Sequence, residues 1–140
     1  LMKHIQVACA ILENGGKVFC SQRSKSMSLP LKWEFPGGKI DKGERPEECL
    51  KRELREELGI EAAVGKPLPP VTHHYPTFSI TLYPFICTIV SGEITLHEHV
   101  ACVWMAPETL HTLDWAEADM PVIETYQIRN QFKATGEGIL

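Results

Sequence analysis

Residues 38–60, GKIDKGERPEECLKRELREELGI, constrain this chain of 140 residues more than any other stretch. They open in a glycine turn and then read as one amphipathic helix from Pro46 to Leu58. A proline fits the first turn of a helix, where its missing N–H has no partner to lose. Gly59 stops the helix, because a left-handed cap costs least for a residue without a Cβ. With about 100° of turn per residue, Glu53, Glu56 and Glu57 fall within one arc of about 100°. Leu50, Leu54 and Leu58 occupy the adjoining arc, so the helix can bury leucines while its carboxylates look along the edge of a cleft. Carboxylates crowded at this spacing repel one another. A hard divalent cation taking oxygen ligands is the simplest reason to crowd them. The bland alternative is a solvated face of Glu and Arg, in which Arg52 and Glu56 form an ordinary pair one turn apart.

The fixed positions go further than the carboxylates. Gly38, Glu44, Arg52, Glu53, Leu54, Glu56, Glu57, Gly59 and Ile60 stand at the spacing of the Nudix box, which this stretch resembles without a mismatch. WEFPGGK before the box, HEH at 97–99 and ADMP at 118–121 are similar to the MutT-like branch of that family, so the resemblance covers roughly residues 4 to 130. It implies an α/β/α sandwich with a mixed central sheet, over one domain spanning residues 1–140. It also implies a Mg²⁺-dependent hydrolase (Mn²⁺ as a substitute) that uses water to split a nucleoside triphosphate into monophosphate and pyrophosphate. Glu53, Glu56, Glu57, Glu98 and the Gly37 carbonyl would hold the ions, and one of the carboxylates would take the water's proton. Glu44 and Arg52 would orient those ligands.

Substrate contacts rest on the same resemblance. Arg23 either touches the nucleotide or is a surface charge at a strand end. Phe35 belongs to the core with partial exposure to the base pocket, and Lys39 either meets the triphosphate or is a surface lysine. Residues 113–121, ELGIEAAVG and HEHVACVW are similar to bacterial CTP pyrophosphohydrolases. Enzymes of the MutT type that act on oxidised guanine carry Asn where Asp119 stands. An ionised Asp only accepts hydrogen bonds, which suits the N4 amino group of cytosine. Asp119 is equally an N-cap for the last helix, and the two roles are compatible. Cytidine nucleotides, including 5-hydroxy and 5-methyl forms, are therefore the expected substrates, with 8-oxo-dGTP as the alternative and dinucleotides or ADP-ribose a weaker third. A non-catalytic Nudix module for nucleotide binding is the alternative of another class, but it has no need of the full glutamate set.

Bulk properties fit this reading. Hydrophobic residues at 44% and charged residues at 23% describe an ordinary globular chain. A net charge of −4 argues against a long nucleic acid as partner. The five cysteines are scattered, several of them inside apolar runs, which argues against a disulfide framework or zinc site. No stretch approaches a membrane span and no signal sequence opens the chain, so the cytoplasm is the expected compartment. The assembly is expected to be a monomer or homodimer.

Along the chain, residues 4–12 and 17–23 flank Asn14-Gly15-Gly16 and predict a hairpin. Residues 24–32 read as a mobile loop, either covering the substrate or serving only as a connector, and Trp33 to Phe35 as a short strand. A short strand follows at 60–64, then an extended loop over 66–70. His73 and His74 are adjacent in a strand and point to opposite faces, so they are structural or rim residues rather than joint ligands. Residues 77–90 alternate as a half-buried strand bent near Pro84, and a buried strand is expected at 100–106. His97 and His99 are weaker ligands than Glu98 for a hard cation. Short helices open at Pro107 and Pro121, with Val122, Ile123 and Tyr126 as an apolar stripe, and the tail after about 133 frays.

Overall fold

A computed structural model describes residues 2–135 of the chain. The strands are β1 (Lys3–Asn14), β2 (Lys17–Gln22), β3 (Trp33–Glu34), β4 (Gly37–Lys39), β5 (Glu61–Pro67), β6 (Val71–His74), β7 (Phe78–Ser91) and β8 (Ala101–Met105). The helices are α1 (Pro46–Leu58) and α2 (Met120–Thr135), with single 3₁₀ turns at Pro107–Thr112 and Glu117–Asp119. The strands join in one sheet along the path β3-β2-β1-β7-β5, with β4 added to β1, β6 to β7 and β8 to β2. β1 and β7 run parallel while the remaining pairs are antiparallel, so the sheet is mixed.

β1 is buried on both faces and sorts its side chains by period two. Ala8, Ala10 and Leu12 pack with Leu50, Leu54 and Leu58 of α1. Cys9 and Ile11 pack with Val122, Ile123 and Tyr126 of α2. A helix therefore covers each face of the sheet, which is the expected α/β/α sandwich. The leucine arc of α1 lies inward, as its spacing requires. Pro46 sits in the first turn, the Glu48 carboxylate accepts from the Arg45 N–H at 3.1 Å, and Gly59 ends the helix at φ 71°. The cysteines are free, with Cys9, Cys20, Cys49 and Cys87 buried as small apolar groups.

The sheet departs from the sequence expectation in two places. β7 is not half-buried: Ser79 and Thr81, on its supposed wet face, are covered. The His4 ring bonds both hydroxyls, at 2.6 and 2.9 Å, and Thr72 bonds Thr81 at 2.8 Å. Polar side chains alternating with apolar ones look solvated in a sequence, but here they are satisfied within the sheet. Pro84 does not interrupt pairing with β1. It falls where the other neighbour of β7 changes from β6 to β5, and its carbonyl accepts from Leu68. β5 also runs three residues beyond the expected end, to Pro67, by absorbing a bulge after Val64. α2 continues through Thr135, and the rest of the tail expected to fray lies outside the described residues.

Candidate active site

Two glycines set the distance between sheet and helix at the site. A Cβ on Gly37 would stand 2.0 Å from the Ala8 carbonyl oxygen, so β4 can lie against β1 only without one. A Cβ on Gly38 would stand 2.2 Å from the carboxyl carbon of Glu53, so the glycine makes the space that this carboxylate fills. The Cys49 thiol, from inside α1, meets the carbonyls of Gly38 and Lys39 at 3.5 and 3.3 Å and ties β4 to the helix.

Arg52 organises the polar face of α1. Its Nε and Nη2 donate to the two oxygens of Glu44 at 2.9 and 3.0 Å, a two-pronged pair that suits the planar guanidinium. Nη1 donates to Glu53 at 2.9 Å and to Glu56 at 3.3 Å, and Nη2 reaches the Lys39 carbonyl. The Arg52 hydrogen bonds pull the Glu44 carboxyl down to about 2, helped by the Asp41 N–H, and Glu44 in turn raises Arg52. Glu57 is the opposite case. Its Oε2 is buried and has no hydrogen-bond partner. Burial first, then the charges of Glu53, Glu34 and Glu98, push its carboxyl up to about 8.

These groups border a cleft of about 600 Å³, within the usual range for small-molecule sites. Its acidic lining residues include Glu53, Glu56, Glu57 and Glu98, with Gly37 beside them in the lining. Its apolar lining residues include Val7, Cys9, Ile80 and Leu82. Phe35 lies 4.8 Å from Trp115, and Tyr75 stacks on Phe78 at 4.9 Å. Arg23, Lys39 and Asp119 also line the cleft, so the structure brings together the expected ligand and substrate positions, with Arg52 and Glu44 behind them. Phe35 is almost fully buried but still borders the cleft, as expected. The Arg23 guanidinium is not a free surface charge: it is paired with Glu34 at 2.9 Å.

Asp119 differs from expectation in its hydrogen-bond partner. Its hydrogen bond is not a cap on α2, since Oδ1 accepts from the Phe35 N–H at 3.3 Å. The segment before it is held along β3: Trp33 N donates to the Asp114 carbonyl, Ala116 N donates to the Trp33 carbonyl, and Tyr75 Oη takes the Ala118 N–H. Asp119 is thereby buried, and burial, with Glu34 nearby, raises its carboxyl well above the ordinary range. Burial thus favours the protonated form of the Asp119 carboxyl, which adds an O–H donor to its acceptor oxygens.

The sequence reading gave Glu34 no role and did not see the pairing of His99 with it. Glu34 reads in sequence as one letter of a short strand, and a solvent-facing strand carboxylate carries no signal of its own. His99 drew attention only as a ligand, whereas its Nε2 lies 2.7 Å from Glu34. His73 bonds Glu117 at 3.0 Å, while His74 is exposed on the other face of β6, and neither histidine is among the residues that line the cleft.

The donor set fits a hard divalent cation: carboxylates of one helix, one of them with a buried unpartnered oxygen, beside a loop carboxylate and a backbone carbonyl. Among the described residues no three acidic, His or Cys side chains already converge as a closed cage. Arg52 spreads Glu53 and Glu56 by pairing with both.

A mixed sheet between two helices, with a glutamate helix bordering a nucleotide-sized cleft, defines a phosphate-handling hydrolase. A family model, the NUDIX domain, matches residues 2–126, and the chain belongs to the Nudix family. It is a Nudix hydrolase of the MutT-like kind, a group of enzymes that use divalent metal ions. It is 38% identical to the CTP pyrophosphohydrolase of Escherichia coli K12 over 89% of this chain and 93% of that protein. It is 34% identical to the 8-oxo-dGTP diphosphatase of the same organism over 87% and 95%. The solution structure of the E. coli ORF135 protein superposes with a TM-score of 0.79 at 36% identity, covering 96% of this chain and 94% of that one. A MutT protein from methicillin-resistant Staphylococcus aureus 252 superposes at 0.75 and 38% identity over 91% and 98%. No helix among the described residues is long and apolar enough to cross a membrane.

Proposed function

We propose that this hydrolase is a Mg²⁺-dependent nucleoside triphosphate pyrophosphohydrolase acting first on cytidine nucleotides, the 5-hydroxy and 5-methyl forms included. The observation that carries the reaction is the unpartnered, buried Glu57 Oε2 in a cleft that is also lined by Phe35, Tyr75 and Phe78. Carboxylates for a metal-bound triphosphate and aromatic side chains for a flat base thus border the same cleft. Glu53, Glu56, Glu57, Glu98 and the Gly37 carbonyl would hold Mg²⁺, which when bound neutralises phosphate charge and activates water. The protein's own part is positioning. Arg52 and Glu44 fix the directions of Glu53 and Glu56, Lys39 faces the phosphates, and a carboxylate of the cluster takes the proton of the attacking water. Water attacks one phosphorus, and pyrophosphate leaves from the monophosphate.

Asp119 supports base recognition in its neutral form. A neutral carboxyl offers one O–H donor and one carbonyl acceptor. That pair complements N3 and the N4 amino group of cytosine. It also complements O6 and N7–H of 8-oxoguanine, so Asp119 does not by itself separate the two bases. The cytidine preference rests on the similarity to a CTP pyrophosphohydrolase, and 8-oxo-dGTP is the second reading on the similarity to an 8-oxo-dGTP diphosphatase.

The test is pyrophosphate release with Mg²⁺ from CTP, dCTP, 5-hydroxy-dCTP, 5-methyl-dCTP, dGTP and 8-oxo-dGTP, ranked by kcat/KM. Cytidine forms are expected to lead; 8-oxo-dGTP in the lead selects the second reading. Glu53→Gln is expected to lower turnover by orders of magnitude in a folded protein. Turnover unchanged by that substitution removes Glu53 from the chemistry.

A further inference from the structure

Among the described residues, Glu34 is the one carboxylate that joins both loops flanking the cleft. Its two oxygens accept from Arg23 Nη1 at 2.9 and 3.0 Å. Arg23 passes the contact on, donating from Nε to the Ser28 carbonyl at 2.6 Å and from Nη2 to the Ser28 hydroxyl at 3.1 Å. That holds the 24–32 loop, in which Leu29 and Leu31 sit at φ 50° and 62° on either side of Pro30. Leucines in left-handed backbone persist only where the surroundings hold them. The second Glu34 oxygen also meets His99 Nε2 at 2.7 Å. A carboxylate accepts, so this nitrogen carries the proton. The His99 side chain is only 6% exposed, against 22% for Glu34 and 20% for Arg23. His99 is therefore an anchor for its loop, and the residue before it is Glu98.

We propose that Glu34 and His99 are positioning residues: their hydrogen bond fixes the 97–99 loop with Glu98 toward the α1 glutamates, and Glu34 couples that loop to the substrate-side loop held by Arg23. This rests on the hydrolase reading for its purpose but not for its geometry. Each loop is tied to the one carboxyl group through its own partner, Arg23 for 24–32 and His99 for 97–99.

The experiment compares Glu34→Ala, His99→Ala, His99→Gln and Arg23→Ala. Hydrogen exchange of the free protein is followed in peptides covering 24–32 and 92–100, and Mn²⁺ binding to the free protein is measured by electron paramagnetic resonance. Losing a hydrogen bond to a charged group is expected to speed exchange about tenfold in the loop it holds. His99→Ala loosens 92–100 alone, Arg23→Ala loosens 24–32 alone, and Glu34→Ala loosens both. Mn²⁺ binds about tenfold more weakly in Glu34→Ala and His99→Ala and unchanged in Arg23→Ala. His99→Gln, which keeps an N–H donor at that end of the side chain, restores both readouts. With the nucleotide that turns over fastest, His99→Ala lowers kcat while Arg23→Ala raises KM. Protection of 92–100 unchanged in Glu34→Ala, or Mn²⁺ affinity unchanged in His99→Ala, overturns the proposal. Should Glu34→Ala not fold, His99→Ala and its Gln rescue decide alone. Exchange and Mn²⁺ binding need no substrate, so silence across the nucleotide panel would sink the hydrolase reading and leave this test standing.

Discussion

A Cβ on Gly38 would stand 2.2 Å from the Glu53 carboxyl carbon, while a Cβ on Gly37 would meet backbone, the Ala8 carbonyl, at 2.0 Å. The neighbouring glycines thus serve different ends, and alanine separates them. In Gly38→Ala the obstacle is the end of a flexible side chain, which can swing aside. The fold is expected to survive, with kcat lower by about two orders of magnitude as Glu53 leaves its place. In Gly37→Ala a strand must move, at a cost on the order of 1–3 kcal/mol. Thermal unfolding beside steady-state kinetics distinguishes them; a Gly38→Ala enzyme with native kcat contradicts the placement of Glu53.

How much of this was legible in the sequence differs from element to element. α1 was read to the residue, because its proline, its leucine spacing and Gly59 are local signals that tertiary structure did not override. The β1–β2 hairpin was equally local. β7 was misread as half-buried because Ser79 and Thr81 find partners in His4, far off in sequence on β1, and Thr81 also in Thr72 of the neighbouring β6. The α1 glutamates carried their own spacing, whereas the Glu34 contacts exist only once Arg23 and His99 converge on it. Burial of Asp119 also arises from non-local packing, of the 116–119 segment against β3 and Tyr75, and its charge state could not be read from a motif.

Arg52→Lys keeps one positive charge but loses the two-pronged grip on Glu44 and the reach to Glu53 and Glu56. Activity is expected to fall about 10- to 100-fold, the usual cost of releasing residues that orient ligands. Glu44 adds a pH signature. Its folded carboxyl lies near 2 against an ordinary 4.5, so its contribution is present above 4.5 and is lost as pH falls toward 2. Arg52→Lys should therefore unfold at higher pH during acid titration followed by circular dichroism. An acid midpoint identical to that of the wild type contradicts the pairing.

Glu57 gives the opposite sign. Its folded carboxyl is raised to about 8 from 4.5, so between those values the native state holds more protons than the unfolded chain. In chelator, stability should fall as pH rises from 4.5 through 8, by at most about 1.4 kcal/mol per pH unit from this group. Glu57→Gln should flatten that decline and be the more stable protein at pH 8. Added Mg²⁺ should stabilise the wild type at pH 8 and the variant much less. Urea unfolding at several pH values reads this directly, and a wild-type slope as flat as the variant's means Glu57 is not held protonated.

Asp119→Asn tests whether the base is read by a neutral or an ionised carboxyl. Asn presents one donor and one acceptor in nearly the same shape as a protonated Asp. If the buried carboxyl is neutral, Asp119→Asn should keep kcat/KM for cytidine nucleotides within about tenfold, and for 8-oxo-dGTP likewise. Asp119→Ala should lose about 100-fold or more on whichever base leads, because a base edge is left without its partner in a closed pocket. An ionised reader predicts a different pattern, since Asn would then lose charge and gain a donor at once. In that case Asp119→Asn would cost cytidine substrates as much as Asp119→Ala does. Raising the pH would separate the cases again: a neutral reader loses selectivity as Asp119 ionises, whereas an ionised one does not.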